Sequence, residues 1–455
     1  MLDELLEKIE NNNLKEVKSI LLEMHVQDIA DLLEKIDSPV NLIKVFKLLP
    51  KDMGAEVFSY LEDSDVQEKL VSALSDKELA YLIDEMYIDD AVDFVEEMPA
   101  NIVERALKVS DKETRALINK FLKYDEDSAG SIMTPEFVDV KENMSCSTAI
   151  KRIKKVASNM ETINFIYVTD SERVLKGVVP IRNLLLADDE DKIGDIMIDN
   201  VIFATTDTDQ EEVTRLFRQY SFTTLPITDR EHRLVGIVTV DDIIDVIDEE
   251  VTEDISKMAA VTPTEKPYLK TSTWTLWLTR VPWLMLLMIS STFTGLIISK
   301  NENVLSTGVY GILLTSCIPM IMGTGGNAGG QASATIIRGI AVNEIAFRDF
   351  MKVVWKEFRV SVLLGLSLSV VCFGKIMLLD GLLFGVEGVD TMSALIISVA
   401  MFITILMAKF VGASLPLIAK KCRLDPAVMA SPFITTILDI LSLLVYCLLA
   451  TSFLI

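Results

Sequence analysis

One carboxylate of this sequence stands inside an apolar stretch. Asp439 lies in Ser431-Pro-Phe-Ile-Thr-Thr-Ile-Leu-Asp-Ile-Leu-Ser, about two helical turns into a run long enough to cross a bilayer. An Asp at the centre of a membrane helix costs about 2.5–3.5 kcal/mol, so it normally faces a water-filled path or a partner. The sequence therefore predicts an ion-binding Asp439. The alternative is a structural carboxylate that is neutralised by Lys409 or hydrogen-bonded to Thr435 and Ser442.

A glycine-rich segment follows another apolar stretch. It reads Gly323-Thr-Gly-Gly-Asn-Ala-Gly-Gly-Gln-Ala-Ser-Ala, and so much glycine predicts a break in the helix. At membrane depth, irregular backbone persists where it lines a cavity or is buried in protein. Exposed carbonyls and the amides of Asn327 and Gln331 would then hydrogen-bond a hydrated ion. Close packing of helices through small residues is the alternative, and both can hold at once.

Three runs of carboxylates stand in the other half of the chain. They are Ile88-Asp-Asp-Ala-Val-Asp, Thr206-Asp-Thr-Asp-Gln-Glu-Glu, and the run from Asp241 to Asp254. Like charges this close repel one another unless a cation lies between them. The runs predict cation binding, with an ordinary solvated helix face as the alternative for any single residue.

The charge distribution divides the chain in two. Residues 1–270 carry 58 Asp and Glu against 31 Lys and Arg, whereas residues 271–455 carry 9 against 12, which is −27 and +3. Such an acidic soluble half disfavours nucleic-acid binding. The five cysteines have no CxxC spacing and only two histidines are present, so neither a disulfide framework nor a zinc site is expected. No nucleophile–base pair or cofactor motif indicates an enzyme.

The elements that must position these residues begin with short helices. Apolar residues recur with helical spacing from about Leu14 to Lys123, and breaks such as Leu49-Pro50 and Met98-Pro99 recur every twelve or thirteen residues. Residues 1–130 are therefore expected to form an all-α superhelix. The N-terminus lacks the basic and apolar regions of a secretory signal, so the acidic half should stay in the cytoplasm.

Residues 131–248 alternate short strands and helices, and the pattern repeats. Ile132-Met-Thr-Pro recurs as Ile196-Met-Ile, and Leu175-Lys-Gly-Val-Val recurs as Leu234-Val-Gly-Ile-Val. This segment resembles a tandem pair of α/β cystathionine-β-synthase (CBS) domains, a module that often senses nucleotides or ions. An acidic linker helix and a Pro-containing connection occupy residues 249–270.

Residues 271–455 are expected to form an all-α, polytopic transmembrane domain in the plasma membrane. Five stretches are long and apolar enough to span: Trp274–Ser299, Val304–Gly323, Val360–Leu379, Met392–Ala419 and Pro432–Leu454. Basic residues cluster between spans two and three and between spans four and five, which places those loops inside. The N-terminus is then cytoplasmic and the C-terminus extracytoplasmic.

Taken in order, these features resemble the MgtE family of magnesium transporters. The resemblance implies a homodimer whose pore passes hydrated Mg²⁺ without ATP hydrolysis, with other divalent cations as possible substrates. It also implies a set of pore residues: Asp439, Asn327, Gly325, Gly326, Gln331 and Thr435.

The resemblance further implies a sensor, in which cytoplasmic Mg²⁺ bridges carboxylates and closes the pore. Its metal ligands would be Glu56, Asp89, Asp93, Asp209, Glu211, Asp242, Asp245, Glu250, Glu253, Asp254 and Asp425. Arg182 and Phe222 would suit the phosphate and base of ATP at the CBS pair. Asn183 stands where the family's ribose-binding Asp is expected, so ATP binding is left open.

Two other functions remain compatible with the sequence. A coupled secondary transporter of divalent cations would also use a broken helix and an intramembrane Asp. It should carry further acidic residues in its spans, whereas Arg280, Lys375 and Lys409 are the other charges found there. A membrane Mg²⁺ sensor without transport would have no need of the glycine segment or Asp439.

Overall fold

The structure is a computed structural model that describes residues 5, 8–9, 14–61, 63–264, 268–269, 271–306, 309–429 and 431–454. The chain divides into two compact units, Met1–Asp248 and Glu249–Ile455, which we describe separately. The first residues of the predicted superhelix, and parts of the predicted connection at 265–267 and 270, lie outside the described residues.

Short helices form the first part of unit 1, as predicted. Side chains cap the free amides at the start of some of them: Asp63 and Asp111 accept hydrogen bonds from backbone N–H groups, and Ser75 forms a capping box with Glu78. Others begin at or just after a proline. The helices are α1 Leu14–Leu21, α2 Val26–Glu34, α3 Pro39–Phe46, α4 Lys51–Ser59, α5 Ser64–Ala73, α6 Asp76–Glu85, α7 Ile88–Glu97, α8 Ala100–Val109 and α9 Lys112–Phe121.

These helices stack with a regular offset. Helix α2 packs on α4, α4 on α6, α6 on α8 and α7 on α9, so each apolar face is covered by the next helix but one. The aromatic rings of Phe58 and Phe94 meet edge to face within this core, 5.5 Å apart. The predicted superhelix is confirmed.

The rest of unit 1 holds two small sheets with the same topology. In each sheet the first strand is parallel to the second, and the second is antiparallel to the third. The first repeat comprises β1 Asp139–Val140, α10 Cys146–Val156, β2 Phe165–Thr169, β3 Leu175–Pro180, α11 Ile181–Leu186 and α12 Ile193–Ile196. The second comprises β4 Ala204–Thr205, α13 Gln210–Tyr220, β5 Thr224–Thr228, β6 Leu234–Thr239 and the start of α14, Val240–Met258.

The two repeated sequence motifs meet across the pair of sheets. A Cβ on Gly236 would lie 2.7 Å from the sulfur of Met133, and one on Gly177 would lie 2.6 Å from the sulfur of Met197. Each of the two recurring methionines thus packs where only a glycine fits, which explains why methionine and glycine recur together.

The described residues of unit 2 form five long helices. They are α15 Thr273–Lys300, α17 Gly311–Ala341, α18 Phe350–Lys375, α19 Thr391–Lys421 and α20 Ser431–Phe453, with the short α16 Glu302–Ser306 between the first two. A π-helical segment, Ile376–Leu383, continues α18. Four stretches are long and apolar enough to span a membrane: Thr273–Lys300, Phe347–Leu383, Thr391–Lys421 and Ala427–Phe453. Helix α17 is as long, but glycine and small polar residues dilute its hydropathy, so its span remains a prediction.

The predicted break at the glycine segment is wrong. Helix α17 continues through it as one helix of 31 residues. A Cβ on Gly329 would lie 2.2 Å from the Leu438 side chain, and one on Gly412 would lie 2.3 Å from the carbonyl oxygen of Gly329. The glycines therefore bring α19 and α20 against α17, as the close-packing alternative proposed, and this contact outweighs glycine's weak helix propensity.

Candidate ion pathway and carboxylate cluster

Asp439 lies beside the seam where α20 packs on α17. Leu438, its neighbour, contacts Gly329, and Ser442 and Thr435 lie against Gly325 and Gly326. Asp439 itself is half-buried, and no described residue forms a hydrogen bond or an ion pair with it. The hydroxyl of Thr435 donates instead to the carbonyl oxygen of Pro432. The predicted hydrogen bond from Thr435 to Asp439 is absent from this part of the structure.

The predicted alternative of a Lys409–Asp439 pair is also wrong. The ammonium of Lys409 lies 3.8 Å from a carboxylate oxygen of Glu357 on α18. The sequence analysis missed Glu357. This residue stands between Lys356 and Arg359, in the basic loop that was placed inside between spans two and three. In the structure α18 already begins at Phe350, so helical spacing extended backwards from Val360 would have included Glu357.

Asn327 and Gln331 share a face of α17 that unit 2 leaves exposed. They are four residues apart, so their amides lie one above the other, away from the buried Gly325 and Gly329. The helical backbone uses its own carbonyls in hydrogen bonds, so the side-chain amides, rather than free carbonyls, are the polar groups available on this face.

Unit 1 gathers carboxylates from α7, the start of α14 and the first CBS repeat. Burial, followed by the charges of Asp90, Asp242 and Glu161, raises the pKa of Asp89 well above its usual range. Burial and Asp242 raise the pKa of Asp90 to about 7. Burial, Asp242 and Asp241 raise the pKa of Glu161 to about 8. Each carboxylate therefore holds a proton more readily, because protonation removes its repulsion with the neighbouring carboxylates.

Two members of this carboxylate cluster are held differently. Asp242 accepts hydrogen bonds from the hydroxyl and the amide of Thr239, at 2.6 and 3.3 Å, which oppose the increase in its pKa caused by burial. One oxygen of Glu161 is buried and has no hydrogen-bond partner among the described residues. The sequence analysis named Asp89 and Asp242 as ligands, included Asp90 only as part of its acidic run, and missed Glu161. Asp90 adjoins Asp89 and was within reach, whereas Glu161 has no acidic neighbour in sequence.

The remaining predicted sensor residues of unit 1 lie at the edge of the cluster or beyond it. Glu56 is exposed. The partial burial of Tyr60 is the first cause of its raised pKa, and the charge of Glu56 is the second. Asp93 is also exposed, and crowding by protein atoms and by Asp90 raises its pKa to about 7. The exposed Asp245 has a raised pKa from partial burial and Asp248.

Asp209 and Glu211 have a structural task. The Asp209 carboxylate caps α13 by accepting a hydrogen bond from the amide of Glu211 at 2.9 Å. Both side chains are exposed.

In unit 2 a lysine joins the linker helix to a carboxylate beyond α19. The ammonium of Lys257 lies 2.5 Å from Glu253 and 2.8 Å from Asp425. Burial and the Asp425 charge raise the pKa of Asp254. Glu250 lies one turn earlier on the same helix and is partly buried. Of the predicted ligands here, the structure brings Glu253, Asp254 and Asp425 together.

Among the described residues, no group of three His, Cys, Asp or Glu side chains converges as a metal site would. The carboxylates are neighbours at Coulombic range. Their chemistry, all oxygen and with one unpartnered buried oxygen on Glu161, fits a hard cation such as Mg²⁺.

The predicted nucleotide residues occupy the CBS pair. Arg182 is exposed on α11, and the ring of Phe222 stacks on Tyr220 at 5.3 Å. Asn183 follows Arg182 on the same helix, where its carbonyl oxygen accepts the amide of Ala187.

Comparison with known protein families covers almost the whole chain. The intracellular N domain of MgtE matches residues 4–127, the CBS domain matches residues 129–190 and 193–249, and MgtE, a divalent cation transporter family, matches residues 318–449. The magnesium transporter MgtE of Thermus thermophilus is 36% identical over 446 residues, which are 97% of this chain and 95% of that protein. This chain belongs to the MgtE family of magnesium transporters.

Other MgtE proteins agree with this assignment. The magnesium transporter MgtE of Enterococcus faecalis is 33% identical and covers 99% of this chain and 96% of its own length. A crystal structure of the cytosolic domain of the Mg²⁺ channel MgtE in complex with ATP is 37% identical, with a TM-score of 0.51, and covers 54% of this chain and all of that chain. This MgtE homologue is therefore a membrane protein with a cytosolic N-terminal region and not an enzyme.

Proposed function

We propose that this MgtE homologue imports Mg²⁺ through a homodimeric pore beside α17 and α20, with Asp439 as its central ligand. The observation that carries the proposal is the half-buried Asp439 carboxylate without a protein partner among the described residues, while Lys409 is engaged by Glu357. A membrane carboxylate in that condition normally contacts water or an ion.

A second copy of the chain would complete the pathway. Asn327 and Gln331 are exposed in the single chain, yet polar side chains at membrane depth need polar surroundings. Two such faces across a dimer axis would provide amides and one carboxylate per subunit. Mg²⁺ dehydrates reluctantly, so waters held by these groups would bind it with its hydration shell retained. Entry of two charges gains about 4.6 kcal/mol per 100 mV of inside-negative potential.

Growth of a magnesium-transporter-deficient bacterium at low Mg²⁺ tests this pore. Asp439→Asn keeps the size of the side chain and removes its charge, and we expect it to abolish rescue. Thr451→Val, near the other end of α20, is the matched control and should rescue fully. Equal membrane levels of both proteins must be verified. Full rescue by Asp439→Asn would refute the pore assignment.

The same proposal includes closure by cytosolic Mg²⁺. The crowded carboxylates Asp89, Asp90, Asp242 and Glu161 repel one another without a cation, so Mg²⁺ would favour the arrangement that brings them together. Linker-helix residues Glu253 and Asp254, with Asp425, would bind Mg²⁺ in competition with the Lys257 ammonium that now joins Glu253 to Asp425. The N-terminus is then cytoplasmic and the C-terminus extracytoplasmic.

Protease sensitivity near Val261 measures this closure. Millimolar Mg²⁺ should protect the linker of the wild-type protein, and Asp89→Asn combined with Asp242→Asn should weaken that protection. Asp28→Asn, exposed on α2, is the control. Identical cleavage of the wild type with and without Mg²⁺ would contradict the sensor.

ATP binding at the CBS pair is the finer part of the proposal. The related cytosolic domain holds ATP, and here Arg182 and Phe222 are accessible for a phosphate and a base. Calorimetry of the full-length protein with ATP should show binding that Phe222→Ala removes. Absence of heat with the wild type would indicate that Asn183 does not replace the ribose-binding carboxylate.

One observation favours a second candidate function, coupled transport. The sequence analysis found no other acidic residue in the spans, but Glu357 and Asp380 both lie in α18 and its π-helical continuation. Both are paired with lysines, Lys409 and Lys375, so neither stands unpaired in the way that Asp439 does. Proton counterflow, recorded with a pH-sensitive dye during Mg²⁺ uptake into vesicles, would support coupling; its absence would support a channel.

A further inference from the structure

Lys409 is a cation inside a membrane helix of a protein that transports cations. Its side chain is buried, with 7% of its surface exposed, and Glu357 is 15% exposed. The Nζ–Oε2 distance of 3.8 Å is too long for a hydrogen bond, and that Glu357 oxygen has no other hydrogen-bond partner among the described residues. The two side chains therefore interact mainly through their charges.

Contacts of α19 show which way Lys409 points. One face of this helix meets α17, because Gly325 lies against Thr404 and Gly329 lies against the carbonyl of Ala408. A second face meets α18, because the ring of Phe402 lies against Gly365. Lys409 is seven residues, or two turns, beyond Phe402, so it shares the face toward α18.

Lys409 therefore lies on the face of α19 next to the face that packs on α17, and α17 in turn packs on α20, which carries Asp439. Low dielectric surroundings transmit a charge over such a distance, and a divalent ion is repelled twice as strongly as a monovalent one. An uncompensated Lys409 would therefore oppose Mg²⁺ on a path beside α17 and α20. The Glu357 carboxylate on α18 supplies the opposite charge, 3.8 Å from the ammonium.

We propose that Glu357 is a positioning residue for transport, which holds Lys409 against α18 and cancels its charge, so that Mg²⁺ can pass beside α17 and α20. The inference rests on the proposed cation path. Its physical content is a sign: removal of Glu357 leaves a positive charge near the path, whereas removal of Lys409 leaves a negative one. A purely structural ion pair has no such sign, because either single change breaks it and leaves a buried charge.

Mg²⁺ uptake by the full-length protein tests the sign. The protein is reconstituted into phosphatidylcholine–phosphatidylglycerol vesicles that contain a Mg²⁺-sensitive dye, with an inside-negative potential. We expect Glu357→Gln to reduce the initial rate about tenfold or more. Lys409→Gln should keep or exceed the wild-type rate, and the double variant should return to within about threefold of wild type. Lys352→Gln removes an exposed cation from the same end of α18 and is the control.

Size-exclusion profiles and melting temperatures of each variant separate folding from transport. Equal loss of rate in both single variants, or a double variant as slow as Glu357→Gln, would overturn the proposal. If Glu357→Gln cannot be purified, Lys409→Gln and the double variant decide, since both should transport and failure of both would overturn it.

Asp439→Asn in the same vesicles distinguishes this inference from the proposed pore. Normal uptake by Asp439→Asn together with the sign asymmetry supports the role of Glu357 and refutes the pore at Asp439. Abolished uptake by Asp439→Asn without the asymmetry supports the pore and refutes the role of Glu357.

Discussion

The two units of this MgtE homologue treat buried charge in opposite ways. Unit 1 places the carboxylates of Asp89, Asp90, Glu161 and Asp242 close together. None of the described residues that shift their pKa values is basic. In the described part of its long helices, unit 2 pairs Glu357 with Lys409 and Asp380 with Lys375, and leaves Asp439 without such a partner. The carboxylates of unit 1 repel one another until a proton or a cation binds, which suits a switch. The lysine–carboxylate pairs and the close helix contacts of unit 2 suit a stable ion pathway.

The largest expected effect concerns the backbone contacts of unit 2. Gly412→Ala would place a Cβ 2.3 Å from the carbonyl oxygen of Gly329, and neither backbone can yield without separating α17 from α19. We expect a loss of about 3 kcal/mol or more in stability. Gly323→Ala and Gly374→Ala meet nothing within 4 Å and serve as controls. The melting temperature of the detergent-solubilised protein measures the difference. An unchanged melting temperature of Gly412→Ala would show that α17 and α19 are not closely packed at this point.

The next effect should appear in unit 1 alone, as a dependence on pH. The raised pKa values mean that the folded cluster keeps protons that the unfolded chain has lost, between the ordinary value near 4 and about 7 to 8. Stability without metal should therefore fall as pH rises through this range, by about 1–3 kcal/mol after screening by solvent.

Hydrogen exchange of α7, corrected for the intrinsic rate, measures this loss in the full-length protein at pH 6 and pH 8. Millimolar Mg²⁺ should remove most of the difference because a bound cation replaces the protons. Peptides from α19 provide the internal control. Exchange in α7 that stays constant with pH would mean that these carboxylates do not repel in the folded state.

The smallest effect tests a single member of the cluster. Asp90→Asn removes one charge that raises the pKa of Asp89, so we expect the metal-free unit 1 to gain about 1 kcal/mol and to respond less to Mg²⁺. Asp28→Asn, on the exposed face of α2, should change neither quantity. Slower exchange of α7 in Asp90→Asn without Mg²⁺ is the expected result, whereas faster exchange would assign Asp90 a stabilising contact.

Much of the fold follows from local sequence patterns. The spacing of apolar residues and the recurring Pro, Ser and Asp caps determine the short helices up to Phe121 because caps and amphipathic faces are local properties. The repeated motifs predicted the CBS pair, and the long apolar runs predicted the membrane helices. The last apolar run also made Asp439 a candidate ion ligand, because an isolated carboxylate in such a run is costly wherever the helix packs.

Only the tertiary structure decided which charges meet. The partner of Lys409 is Glu357, 52 positions away in the printed sequence, and Glu161 joins Asp89 and Asp242 although no motif connects them. The same is true of Gly329, whose weak helix propensity predicted a break until Leu438 and Gly412 were seen against it. Coulombic energy and packing depend on distance in space, so a sequence determines its helices and candidate charges, and the fold determines their partners.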